Sequence, residues 1–295
     1  MNIEEAIKKY QLSDEEFEKN ANRIFSALAM NADKPEKPRF IMVGGQAGSG
    51  KTGLVAKKNR ELDGGAIIID QDEIRASFPE ELYEQILKEH DDREEYLILK
   101  PYVLKMRQKL VDMARENGYN VIMESAMQAV DSFIPQIQSF KDAGYETELS
   151  VISVPEVDCY LSTLNRYCYY LNKDGICRRN TKMDPQMLVK LRNNIVKLEN
   201  TGLFDNVDIH IRGNSQAEPP VMIYSKKDRS FGETPLEAFD RGQSVALKTT
   251  RKSFKERATG IRETLARFDE KEKLEQLAQI EEEFKNLDDR GDYGE

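Results

Sequence analysis

Apolar residues along the chain fall into short runs and helical stripes that alternate. Phe17, Ala21, Ile24, Phe25 and Leu28 recur at helical spacing and mark one face of a helix over residues 13–29. Ser13 and Glu16 make a capping box at its start, and Leu12 with Phe17 has the spacing of a hydrophobic staple. NADKPEKP (31–38) reads as a linker, and RFIMV (39–43) is a buried strand that ends at glycines. Further strands are expected at AIIID (66–70), NVIME (120–124), ELSVISV (148–154), VDIHIR (207–212) and VMIYS (221–225). Helical stretches fall between them, starting near Gly50 and covering roughly 80–117, 131–142, 156–171 and 184–200. Strands that alternate with helices predict an α/β fold, a mainly parallel sheet flanked by helices.

From Pro235 onward the pattern becomes charged and helical, with Leu274, Leu277, Ile280 and Phe284 at helical spacing. This C-terminal extension is read as an amphipathic helix packed back on the main domain. An arm that binds a partner or a second copy, or that inhibits in cis, is the alternative. The chain thus divides into an N-terminal helix and linker (1–38), a central domain (39–232) and a helical extension (233–295).

Composition narrows the function. Among 295 residues, 44 Lys+Arg stand against 53 Asp+Glu, a net charge of −9 that disfavours long nucleic acid or an anionic membrane as partner. There is no apolar run of the length of a membrane span, and the N-terminus MNIEEAIKKYQ lacks a signal-peptide core, so a cytoplasmic location is expected. Cys159, Cys168 and Cys177 have neither disulfide parity nor metal-ligand spacing, and two histidines, His90 and His210, exclude a multi-histidine metal site.

The strongest chemical signal is Gly45-Gln46-Ala47-Gly48-Ser49-Gly50-Lys51-Thr52, a complete G-x-x-x-x-G-K-[ST] phosphate loop between a strand and a helix. Small residues let backbone N–H groups close around phosphate oxygens at a helix N-terminus. Lys51 is expected to reach the β- and γ-phosphates of ATP, and Thr52 to supply a hydroxyl to Mg²⁺. No N-K-x-D motif is present, which disfavours a GTPase, and the absence of repeats disfavours a motor or transporter. A small-substrate kinase remains.

The second strand ends in Asp70-Gln71-Asp72-Glu73-Ile74-Arg75. Ligands of open parallel sheets sit beyond strand carboxyl ends, so Asp72 is the candidate general base for an acceptor hydroxyl. Asp70 either caps the next helix or touches the metal shell, and Arg75 either binds substrate or pairs with Asp72. Glu124, at the end of the third strand, holds Mg²⁺ through water, binds a substrate hydroxyl or is structural. Arg166 on a helix and Arg179 after the Asp174-Gly175 turn are candidates for a pair that neutralises charge on the moving phosphoryl group, against the alternative of solvated surface arginines.

These residues carry a resemblance. FIMVGGQAGSGKT, AIIIDQDEIRASFP, GYNVIMES, SVPEVDCYLSTLNRY with CRRNT, and TGLFDNVDIHIR, in this order over about residues 10–225, resemble the zeta toxin family of bacterial toxin–antitoxin systems. The resemblance implies a P-loop kinase fold, with ATP and Mg²⁺, that phosphorylates a sugar hydroxyl of UDP-N-acetylglucosamine, and a small helical antitoxin as partner. It implies phosphate and magnesium roles for Lys51 and Thr52, the base role for Asp72, and the phosphate clamp for Arg166 and Arg179. The departures lie on the acceptor side. Where the family writes E-G-T-x-R, this chain has Glu124-Ser125-Ala126-Met127-Gln128; a family glutamate falls at Gln108; and the H-P after the base motif is Phe78-Pro79. The expected activity is therefore a zeta-like kinase on UDP-N-acetylglucosamine or a related nucleotide sugar. The alternatives are a kinase on a different nucleotide, dinucleotide or antibiotic hydroxyl, and a nucleotide-binding module without catalysis.

Overall fold

Strands Arg39–Gly44 (β1), Ala66–Ile69 (β2), Asn120–Ser125 (β3), Glu146–Ser153 (β4), Asn206–Ile211 (β5) and Val221–Ser225 (β6) make one sheet in the order β2-β3-β1-β4-β5-β6. In the computed structural model, which describes residues 2–175, 184, 186–213, 218–228 and 232–289, β2 runs parallel to β3 and β4 to β5. The edge strand β6 is antiparallel to β5. All six strands were expected from the apolar runs, within two residues at each end. β1 is buried from Phe40 to Gly44, as a strand covered on both faces should be.

The chain divides into two compact units. The first comprises Met1–Ile41, Lys58–Glu124 and Ser139–Glu146. Its helix α2 (Asp14–Ala29) begins as expected: Ser13 Oγ accepts the Glu16 N–H at 3.3 Å and a Glu16 carboxylate oxygen accepts the Ser13 N–H at 2.9 Å. Ser13→Ala should lower the unfolding free energy by about 1 kcal/mol, read from a shifted denaturation midpoint at constant slope. A preceding helix, α1 (Ile3–Lys9), was not expected. It is two turns long, buries only Ala6 fully, and so carries no apolar stripe; it forms because the Asn2–Glu5 capping box starts it and Ala6 and Tyr10 bury among Ile86, Ile98 and Leu99.

The helical stretch expected over 80–117 is two helices, α5 (Glu80–Glu89) and α6 (Asp92–Glu116), after a short α4 (Gln71–Ala76). His90 adopts an extended conformation, and the Asp91 carboxylate accepts the N–H groups of Arg93 and Glu94, so a cap hidden in a charged run restarts the helix. The segment expected as a helix over 131–142 is a 3₁₀ turn at Val130–Ser132 followed by α7 (Ile134–Asp142).

The second unit comprises Met42–Lys57, Ser125–Gln138 and Thr147–Glu295. Its helices are α3 (Lys51–Arg60, which runs on past the unit's edge), α8 (Glu156–Asp174), α9 (Gln186–Asn200), α10 (Pro235–Arg267) and α11 (Lys271–Asp289). The charged C-terminal segment is an α10–α11 hairpin. α10 packs on α8, α9, β5 and β6, and α11 packs on α8 and α10. Leu277, Ile280 and Phe284 join Phe254, Ile261 and Leu265 in one core with Tyr160, Leu161, Leu164 and Leu171 of α8. The hairpin is thus half of the core that holds α8. Two hydrogen bonds pin its start to the end of β4: Ser153 Oγ donates to the Phe239 carbonyl at 2.6 Å, and the Gln243 amide to the Val154 carbonyl at 2.8 Å. Among the described residues no helix is long and apolar enough to cross a membrane.

Candidate active site

The loop Gly45–Thr52 joins β1 to α3 within the second unit. Gly48 and Gly50 take φ of +77° and +89°, a region that side chains rarely occupy. A β-carbon on Gly48 would lie 2.2 Å from the Cys159 carbonyl oxygen, so the first turn of α8 packs directly on the loop. Gln46 and Ser49 are buried, yet Gln46 Nε2 and Ser49 Oγ have no hydrogen-bond partner among the described residues. Orphaned buried polar atoms cost free energy unless a ligand or water satisfies them. Lys51, also buried, donates from Nζ to the Gln46 carbonyl of its own loop at 2.8 Å. Thr52 is exposed on the first turn of α3, and its hydroxyl takes no protein hydrogen bond among the described residues. These groups fit a nucleoside triphosphate: a cation, a helix N-terminus and unsatisfied polar atoms around one glycine-rich turn.

Arg166 lies on α8 at i, i+4, i+7 from Cys159 and Thr163, the residues nearest Gly48. It is exposed and takes no carboxylate partner among the described residues. Arg179 lies outside the described residues. Burial pushes the Cys159 thiol up to about 12, so it stays protonated and is no nucleophile.

The acidic strand end belongs to the first unit. Asp70 caps α4, accepting the Asp72 N–H at 2.7 Å, one of the two roles expected of it. Asp72 sits in the first turn of α4 with its side chain about half exposed, 3.6 Å from Arg75 Nη1. Arg75 lies over the Tyr96 ring at 5.1 Å and 4.0 Å from the buried Glu95. Asp72 therefore has a cationic neighbour on its own helix that orients it. α4 is itself tethered to α2: the Ser77 carbonyl accepts from Asn20 at 3.2 Å and from Arg23 at 3.0 Å. Because Ile69 pairs with Met123, Asp70 and Glu124 are neighbours at the carboxyl ends of β2 and β3. Asp70 and Glu73 also border a cavity of about 250 Å³ walled by Ile24, Leu28, Ile74 and Leu110; Asp72 does not line it.

The acceptor-side departures take definite positions. Gln128 turns back on the protein, its amide donating to the carbonyls of Ala126 at 3.1 Å and Met187 at 3.3 Å. Met127 takes φ of +54°, is fully buried, and lays its sulfur where a β-carbon on Gly44 would be. Asn194 holds this turn through the Met127 carbonyl at 2.6 Å. Gln108 is exposed and donates to Asp112 on the same helix at 3.0 Å, while its neighbour Arg107 is the buried residue.

Sequence reasoning missed the residues that support the site. Glu95 was one acid in a charged helix, with no signal that it would be buried beside Arg75. Arg212 was read only as the last residue of a strand, and Asp158 and Arg257 only fell within expected helical stretches. Yet the Arg212 guanidinium bonds the loop carbonyls of Ser49 (2.9 Å) and Gly48, and Asp158 Oδ2 at 2.7 Å.

A family model described as Zeta toxin matches residues 22–227. The Toxin zeta of Streptococcus pyogenes is 29% identical over 269 residues, covering 88% of this chain and 84% of its own. The Toxin PezT of Streptococcus pneumoniae serotype 4 is 32% identical over 222 residues, covering 74% and 83%. The solved structure of the PezAT chromosomal toxin–antitoxin system of Streptococcus pneumoniae superposes with a TM-score of 0.74 at 24% identity, over 88% of this chain and all of that one, which matches the fold.

Proposed function

The chain belongs to the zeta toxin family, and from that membership we propose that it is a kinase that moves the γ-phosphate of ATP onto a hydroxyl of a nucleotide sugar, UDP-N-acetylglucosamine or a relative. The observation that carries this reading is the phosphate loop, where the buried Gln46 Nε2 and Ser49 Oγ have no hydrogen-bond partner among the described residues and the buried Lys51 donates to the Gln46 carbonyl. Lys51 and the N–H groups at the start of α3 bind the β- and γ-phosphates. Thr52 holds Mg²⁺, which neutralises phosphate charge when bound.

Asp72 accepts the proton of the acceptor hydroxyl as its oxygen bonds to the γ-phosphorus and ADP leaves with the bridging oxygen. Arg75 keeps that carboxylate oriented. Arg166, exposed and without a carboxylate partner among the described residues, offers its guanidinium to the charge on the transferring group, with Arg179 as its proposed companion. Glu124 binds acceptor or metal shell. A helical antitoxin protein is the proposed partner.

A second reading, a kinase on a hydroxyl compound without a diphosphate, is favoured by one observation. The amide of Gln128 is committed to two backbone carbonyls, so this position brings no cation to a diphosphate. The test is purified full chain with ATP and Mg²⁺ against nucleotide sugars, nucleotides, dinucleotides and aminoglycosides, with product mass read for one added phosphate. Phosphorylated nucleotide sugar is the expected product. Phosphorylation elsewhere alone selects the second reading, and no phosphotransfer to any acceptor overturns both.

A further inference from the structure

The phosphate loop is braced from behind by a charge triad that reaches the C-terminal hairpin. Arg212, at the exit of β5, donates from Nε to the Ser49 carbonyl at 2.9 Å and from Nη2 to the Gly48 carbonyl. A β-carbon on Gly50 would sit 3.2 Å from Arg212 Nε, so the Arg212 side chain packs closely against the loop. Its Nη1 pairs with Asp158 Oδ2 at 2.7 Å, and the other carboxylate oxygen of Asp158 pairs with Arg257 Nη1 of α10. Ser162 completes the group. Its hydroxyl accepts from Arg257 Nη2 at 2.7 Å and Arg212 Nη2 at 3.1 Å, and donates to the Asp158 carbonyl at 2.7 Å.

Two physical consequences follow. In a trans peptide the N–H points away from the C=O, so fixing the Ser49 carbonyl toward Arg212 fixes the Gly50 N–H toward the opposite side. The loop's outward carbonyls would otherwise need water or a peptide flip to be satisfied. The second consequence is charge. Asp158 is 1% exposed, and a carboxylate so buried needs its partners. Two arginines against one aspartate leave one net positive charge directly behind the loop; removing Arg257 would leave a neutral Arg212–Asp158 pair there.

We propose that Arg257, acting through Asp158 and Arg212, is a positioning residue of the nucleotide site, so that the C-terminal helix α10 sets the affinity of the phosphate loop for ATP. This rests on the kinase reading above. The experiment is ATP binding by calorimetry on full-length wild type, Arg257→Met and Arg257→Lys, with KM for ATP and kcat on whichever acceptor turns over. Arg257→Met should bind ATP about tenfold or more weakly, with KM raised and kcat at saturating ATP changed by much less. Arg257→Lys, which keeps the charge and one bond to Asp158, should recover most of the affinity. If Arg257→Met shows no cooperative unfolding transition, Ser162→Ala, which removes the hydroxyl shared by both arginines, should move ATP affinity in the same direction by a smaller factor. Folded Arg257→Met, or failing that Ser162→Ala, with wild-type ATP affinity overturns the proposal alone, as does a loss that the lysine variant does not recover. Wild type that binds no ATP overturns the kinase reading and this one with it.

Discussion

Asp72→Asn should lose about 1,000-fold in kcat while binding ATP as tightly as wild type. The substitution keeps the size of the side chain and its place in the first turn of α4, where the Asp70 carboxylate accepts the backbone N–H of residue 72, a bond that does not depend on the side chain at 72. What changes is that an amide cannot take the acceptor proton and no longer pairs as an anion with Arg75, 3.6 Å away. A general base contributes roughly 10²–10⁴-fold, which sets the size of the loss. The groups proposed to bind nucleotide, Lys51, Gln46 and Ser49, are untouched, so binding measured in the absence of acceptor should hold. Single-turnover phosphotransfer followed by product mass gives the chemical step directly. Turnover within tenfold of wild type would remove Asp72 from the base role and leave Glu124 as the next carboxylate to test.

Phe254→Ala should cost about 3–5 kcal/mol of stability, enough to unfold a substantial fraction of a protein of ordinary marginal stability. Phe254 is buried and its ring stacks on Phe284 with centroids 3.9 Å apart, at the meeting of α8, α10 and α11. Truncation there leaves a cavity that three helices line, and the stacked partner loses its contact as well. The midpoint of chemical denaturation, followed by far-ultraviolet circular dichroism, reports the loss. A change below about 1 kcal/mol would mean that the hairpin is peripheral to the fold and that α8 holds its place without it. An intermediate with β-sheet signal but without the helical hairpin would show that the extension unfolds by itself, a different architecture from the one core described above.

Much of this protein was legible along the chain because its signals are local. A buried parallel strand is a short apolar run, so all six strands were found. A phosphate loop works through backbone geometry that only certain residues permit, so Gly45–Thr52 announced itself in eight letters. The Ser13–Glu16 box is complete within four residues, and it started the helix it predicted. The cap at Asp91 was equally local, but it was masked by the acidic residues on either side, and α1 was too short for a periodic stripe.

The tertiary structure alone decided where charge is buried. Glu95, Asp158 and Arg212 look like any solvated residue of their helix or strand end, because burial is set by what packs over them from elsewhere in the chain. Asp158 meets an arginine 54 positions later and another 99 positions later, a pairing that no window of sequence contains. The same holds for Gln128, whose amide was free in the sequence and is taken up by its own turn and a carbonyl of α9. Residue types and spacing determined the chemistry of the phosphate loop; long-range packing determined which charges stand behind it, since only the folded chain excludes the water that would otherwise have solvated them.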